Sequence, residues 1–411
     1  MPSALESLAA LIQSPALTRH AAARMKALRL HIADTLGMML RGASLAEGKA
    51  ARALGSPLLG WCACARLTEA DDIHLTSCTT PGSVVVPTAI HAASLLAFQT
   101  WTDFVAAVLA GYETLIRVGY AIDGPRILEK RIWPTLFAAP AGAAAVACRA
   151  WKLTISQTAG ALATALAAST GIAAPAMMPH SSRWIALGCA AEQGFSAAMA
   201  ARMGALGDVR VLGRLRISQQ QLLQEAGTRF LSDDTELKPY PIARQALAAV
   251  EACRELVGGK AKDVSAITVS VPAAQARIID QPEWPSNRMQ SIAGAQYQIA
   301  LALLFPERLM DFDRTPPIDT NSLRSLAAKV RVRAEARLDR YYPEEWPAHV
   351  MVKWTGKRRS MLLTTPRAPQ WEDVLLKSGP LLDPAQFAKK FGRVTAGILS
   401  GLAVPAAGQG G

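Results

Sequence analysis

The residues best equipped for chemistry lie in one short stretch. Glu69, Asp71, Asp72 and His74 are followed by Thr76, Ser77, Cys78, Thr79, Thr80 and Ser83. Adjacent carboxylates, an imidazole and several hydroxyls supply acid/base groups and hydrogen bonds for a polar ligand. The same residues also suit a plain structural use, with Asp71 or Asp72 capping a helix and the Ser/Thr run making a turn. Cys62, Cys64, His74 and Cys78 are the ligand types of a zinc site, but C-x-C spacing is unusual and no C-x-x-C or H-x-x-x-H pair accompanies it. Buried structural thiols are expected instead, and no metal.

Two cationic spots follow. Arg183 comes just after a long uncharged run, as a fork for a carboxylate or as the partner of a structural Asp. Lys238, Tyr240 and Arg244 surround two prolines just ahead of a helix start, which suits an anionic ligand or simply a turn. No G-x-G-x-x-G, P-loop or G-x-S-x-G is present, which argues against nucleotide cofactors and the common serine hydrolases.

The elements that must position these groups are mostly helices. Ser3 and Glu6 have capping-box spacing and open a short helix that Pro15 stops. A stronger helix is expected from about Arg19, with Met25, Leu28, Ile32, Leu36 and Met39 on one face. His31 sits beside that stripe and reads as a surface or satisfied histidine. Further helices are expected at 99–120, 134–151, 156–169, 189–205 and 243–257, with Gly188, Gly194 and Gly204 marking helix contacts. Alternation at Ile267, Val269 and Val271, at Val330 and Val332, and at Val350, Val352 and Trp354 then predicts strands; Met361 to Thr364 adds a fourth. Residues 287–304 between them are helical, and Asp383-Pro384 starts a last helix. The fold class is therefore mainly α: an all-helical domain at 1–261, a smaller α+β domain at 262–382, a helix at 383–403 returning to the first domain, and a flexible tail at 404–411.

Composition agrees with that reading. The 411 residues are 51% hydrophobic but only 6% aromatic, as in closely packed Ala-rich helices, and a disordered chain is excluded. The runs 73–102 and 153–182 lack Asp, Glu, Lys and Arg. Both are broken by prolines, so buried helices and loops are expected, and no membrane span. The N-terminus has no basic n-region of a signal peptide, and six Cys in so long a chain fit a reducing cytoplasm. The net charge of +12 points to nucleic acid, an anionic membrane or an acidic small molecule. The basic residues at 324–360 alternate with acids and no nucleic-acid module is visible, so no nucleic-acid partner is expected.

Taken in order, several stretches resemble the MmgE/PrpD family of 2-methylcitrate dehydratase, cis-aconitate decarboxylase and iminodisuccinate epimerase. They include DDIHLTSCTTPGSVVVPTAIHAA at 71–93, RIWPTLFAAPAGAAAVA at 131–147, SRWIALGCAAEQGFSAAMAARMGALGD at 182–208, LKPYPIARQALAAVEA at 237–252 and YYPEEWPAHVMV at 341–352. The resemblance implies a homodimer, a site between two domains, no cofactor, and a small di- or tricarboxylate substrate. Asp71 and Asp72 match the family's acidic loop, Lys238 its lysine before the Pro-rich turn, and Tyr297 a tyrosine on a later helix. Arg183 stands where several members have lysine. Thr80, Trp133 and Ala243 stand where they have histidine. The expected roles are therefore carboxylate binding by Arg183, Lys238 and Arg244, and acid/base work by Asp72 and His74 with Asp71 orienting the loop. Tyr297 is the expected second proton donor. Thr79, Thr80 and Trp133 are expected against the substrate.

Overall fold

A computed structural model describes residues 2–95, 100–178, 181–315 and 317–379. The expected helix at 383–403 and the tail lie outside the described residues.

The N-terminal portion is a packed set of helices. Ser3 and Glu6 form a reciprocal capping box on Ala4–Gln13. Pro15 opens the next helix, Pro15–Ala23, as its first residue, and Met25–Ser44 follows, so the single helix expected from Arg19 is two. At the centre lie Trp101–Ala121 and Pro134–Ala150. Trp101–Ala121 is, among the described residues, the helix long and apolar enough to cross a membrane, but 94% of that window is buried inside the protein. Its Glu113 and Arg117 pair at 3.0 Å in the interior.

Ala and Gly allow this closeness. A Cβ at Gly194 in Arg183–Arg202 would stand 2.0 Å from the Pro140 carbonyl oxygen, and one at Gly188 2.5 Å from that of Leu59. Gly204 differs: it has φ +96 and nothing within 4 Å of a built Cβ, so it ends the helix through its backbone freedom.

The second unit holds a four-stranded sheet. Val264–Val271 lies between Val330–Ala334, to which it is parallel, and Ala348–Trp354, to which it is antiparallel; Lys357–Leu363 completes the edge. Helices Ala295–Leu304 and Arg244–Val257 cover one face. Gly294 breaks the helix expected over 287–304 into Arg288–Ala293 and Ala295–Leu304.

Two boundaries differ from the expectation. Leu247, Val250 and Cys253 of Arg244–Val257 join the sheet's core, which begins at Tyr240 rather than 262. Periodicity identifies an apolar face but not which core that face meets. Conversely, Trp371–Ser378, placed with the small domain, buries Val374 in the helical core. Arg288 sews the units together, donating to the Leu67 carbonyl at 2.9 Å and to Glu47 at 3.1 Å.

Candidate active site

A cavity of about 280 Å³ lies where the two units meet. The helical unit contributes Arg66, Glu69 and Ile73, then Cys78, Thr80, Trp133, Thr135 and Arg183. The second contributes Lys238, Ala243, Arg244, Ile292 and Trp346. Arg66 is carried at the end of Pro57–Leu67 and Arg183 at the start of Arg183–Arg202. Ala243 is the N-cap of the 14-residue helix Arg244–Val257 and provides no side-chain cap, and Ala243, Arg244 and Gln245 at this helix start line the cavity.

The charged residues form one connected cluster. Arg66 reaches Glu69 at 2.8 Å and Asp71 at 3.3 Å; Lys238 stands 3.5 Å from Asp71 and 3.7 Å from Glu69. Lys238 also donates to the Glu69 carbonyl at 3.1 Å, as does the Ile242 amide at 3.2 Å. These two bonds hold Glu69 in the left-handed region at φ 55, which a side chain rarely adopts. Burial opposes the charge on Glu69, but Arg66 and Lys238 outweigh it and its carboxyl stays below the ordinary value. Asp71 is wholly enclosed, and burial holds it up at about 6 despite Arg66 and Lys238. Burial also pushes the Lys238 ammonium below its ordinary value, against the pull of Asp71 and Glu69. A carboxyl raised and an amine lowered stand side by side, the amine at the cavity wall and the carboxyl just behind it, an arrangement suited to proton transfer.

The guanidiniums are suited to anions. Arg183 stacks on Trp133, with Cζ 3.8 Å from the ring centroid, and Arg66 lies 5.4 Å from the same ring. Among the described residues no carboxylate pairs with Arg183, and its Nε is buried without a hydrogen bond. Burial, then the neighbouring Arg66, push Arg183 down to about 10. Arg244 bonds Glu236 through Nε at 2.9 Å and Nη2 at 2.6 Å, while its Nη1 is buried and unbonded. Four cations against one carboxylate line the cavity, and three of them, Arg66, Arg183 and Arg244, keep a spare donor.

Comparison with protein families agrees with this two-unit cleft. The MmgE/PrpD N-terminal domain matches residues 59–229, and the MmgE/PrpD C-terminal domain matches residues 240–400. The chain belongs to the MmgE/PrpD family. That family includes dehydratases and related enzymes. The break between the two matches coincides with the start of the second core at Tyr240. A search of curated proteins finds no match.

Of the residues expected at the site, the structure brings Thr80, Trp133, Arg183, Lys238 and Arg244 to the cavity, with Asp71 directly behind Arg66 and Lys238. Thr80, Trp133 and Ala243, where the resemblance implies histidines, put a hydroxyl, an indole and a methyl group on the cavity wall. Four of the expected residues stand away from this cavity. His74 follows Ile73 in a two-residue strand paired with Thr235–Glu236, and successive side chains on a strand point to opposite faces. Ile73 takes the cavity, while His74 lies at a different cleft with Nδ1 2.9 Å from Ser77 Oγ; burial pushes it down to about 4. Asp72 accepts from the Gly82 amide at 2.9 Å and the Tyr112 hydroxyl at 2.6 Å, so it serves the start of Gly82–Leu95 rather than the cavity. Thr79 is buried against Ser77 at 2.7 Å. The Tyr297 hydroxyl donates to the Ile318 carbonyl at 3.1 Å inside the second core.

Sequence reasoning passed over Arg66 and Thr135, and named Glu69 in the polar stretch without giving it a role. Arg66 ends an apolar helix, the same signal that drew attention to Arg183. Thr135 accepts from the Thr80 amide at 3.1 Å and fixes that residue at the cavity. His31, expected as a surface or satisfied histidine, stands half-buried 3.5 Å from the buried Asp72. Cys62 and Cys64 lie in Pro57–Leu67, and among the described residues no three His, Cys, Asp or Glu side chains converge to hold a metal ion.

Proposed function

We propose that this protein is a lyase that removes water from a small hydroxy-carboxylate, using its own side chains and no cofactor. The observation that carries this reading is Lys238, buried between Asp71 and Glu69 at the wall of a cavity whose other cations hold unused donors.

In this reading Arg183, Arg66 and Arg244 take the substrate carboxylates, and the uncapped start of Arg244–Val257 adds its amides. Lys238, expected from the sequence to be an anchor, becomes the base. Its neutral amine takes the proton beside a carboxylate while the guanidiniums stabilise the enolate-like charge. As the carbon–carbon double bond forms, hydroxide leaves and takes the proton back from the Lys238 ammonium. Water is released and the amine is restored. Glu69 and Asp71 hold the lysine in place, and Thr80 orients the ligand. The homodimer, the cytoplasmic setting, and the absence of nucleic-acid and membrane partners belong to the same reading and rest on the family resemblance and the sequence.

A second reading keeps the proton abstraction and drops the loss of water. Thr80, Trp133 and Ala243 leave the cavity without the imidazoles that would help a hydroxyl depart. That favours an isomerase, epimerase or decarboxylase. A catalytically inert binding protein is the outcome if no proton moves. The test is incubation of the purified protein with hydroxy-, methyl- and unsaturated di- and tricarboxylates in deuterium oxide, followed by NMR. Exchange with formation of an alkene supports the lyase; exchange without it supports the isomerase; no exchange with any of them rejects both.

A further inference from the structure

We propose that Lys377, carried on the helix that returns from the second unit, is a positioning residue that holds Lys238 and the Glu69–Asp71 segment in register. The proposal rests on reading the cavity above as the active site.

Trp371–Ser378 follows the last strand of the sheet but lies along Met25–Ser44 of the helical unit. Lys377 is 1% exposed, a rare place for an ammonium. Its three N–H donors are all used: it pairs with the Asp34 carboxylate and donates to the Ala70 carbonyl at 2.8 Å and the Lys238 carbonyl at 2.7 Å. Ala70 lies between Glu69 and Asp71. One nitrogen therefore joins the two backbone segments whose side chains form the proton-transfer cluster, segments that are distant in sequence.

The seat for this strap is built for close approach. A Cβ at Gly37 would fall 1.9 Å from Ser378 Oγ. Gly379 has φ +64, and a Cβ there would meet Arg41 Nη2 at 2.4 Å. Arg41 also donates from Nε to the Lys377 carbonyl at 3.1 Å.

Stability alone does not call for this arrangement. A buried ion pair is generally no more stabilising than a well-packed apolar pair of the same volume. An apolar pair, however, cannot bond two carbonyls on separate segments. Lys377 also adds a positive charge beside Lys238, acting with Arg66 and opposed by Glu69 and Asp71; burial and these two cations lower the Lys238 ammonium. The strap sets both where Lys238 stands and how readily it gives up its proton.

The test uses two variants of the full chain and two readouts. Asp34→Asn/Lys377→Met removes the ammonium without stranding a buried carboxylate. Gly37→Ala lifts the strap while leaving Lys377 in place. Leu162→Ala, a core truncation elsewhere, controls for lost stability. The first readout is acylation of Lys238 by acetic anhydride across pH, followed by mass spectrometry, which needs no substrate. The second is the kcat and KM of whichever carboxylate exchanges its proton. Both strap variants are expected to shift the pH of half-maximal Lys238 labelling, upward in the double variant. They are also expected to lower kcat about 10- to 100-fold with little change in KM, while Leu162→Ala does neither. A wild-type labelling profile and kcat in either folded strap variant overturns the proposal. If no carboxylate exchanges, the proposed function fails while the labelling profile still decides the role of the strap.

Discussion

Replacing Arg183 by Met should make the protein more stable and a poorer binder at once. Burial and Arg66 hold the guanidinium down at about 10, more than two pH units below its ordinary value. At about 1.4 kcal/mol per unit this corresponds to about 3 kcal/mol of penalty on the charged form. The side chain keeps partial exposure, which screens roughly half of that. Loss of the stack on Trp133 costs about 0.5–1 kcal/mol. The net gain is about 1 kcal/mol, or about 1–2 °C in Tm for a chain this long. Truncating a charge that meets a ligand carboxylate costs about 2–5 kcal/mol, a loss of about 30-fold to more than 10³-fold in affinity. The assay is thermal melting without ligand and with increasing concentrations of the carboxylate that most raises the wild-type Tm. A Tm several degrees below wild type, together with undiminished stabilisation by the ligand, refutes the reasoning.

Other expectations follow from the same geometry. His74→Asn should leave turnover and KM unchanged, because the imidazole does not reach the cavity. It should also remove a source of acid lability. The folded imidazole is held down to about 4, so the unfolded chain binds the proton first and wild-type stability falls as pH drops from about 6.5 through 4, a decline the variant lacks in denaturant titrations. Tyr297→Phe should cost about 1 kcal/mol in chemical denaturation through the lost bond to Ile318, with kinetics intact. Gly194→Ala should lower stability by about 1–3 kcal/mol or more, read as a drop in Tm, because its Cβ meets the rigid Pro140 carbonyl.

The long helices and the four strands were legible because most have an apolar face repeating at its own period; Pro57–Leu67 and Gly82–Leu95, buried nearly all round, and Trp371–Ser378 were not. The partner of each face was not. Arg244–Val257 shows a clear apolar stripe, yet nothing local says that it belongs to the sheet rather than to the helices. The site divides in the same way. Arg183, Lys238 and Arg244 stand out as cations next to apolar segments or a helix start, and all three reach the cavity. Asp72 and His74 stand out equally, but composition cannot show that a two-residue strand turns Ile73 inward and His74 away. The capping use of Asp72 needs Gly82, ten residues on, to be visible. Lys377 gave no signal, because its importance depends on two carbonyls supplied by distant parts of the chain.

The central claim is that Lys238 moves the substrate proton. It is tested most directly by the rate at which a carboxylate exchanges its proton in deuterium oxide with wild-type protein and with Lys238→Met, measured side by side by NMR under saturating ligand. The account predicts that wild type exchanges and that the variant, though folded, falls to the uncatalysed rate. Exchange by Lys238→Met at the wild-type rate would contradict it.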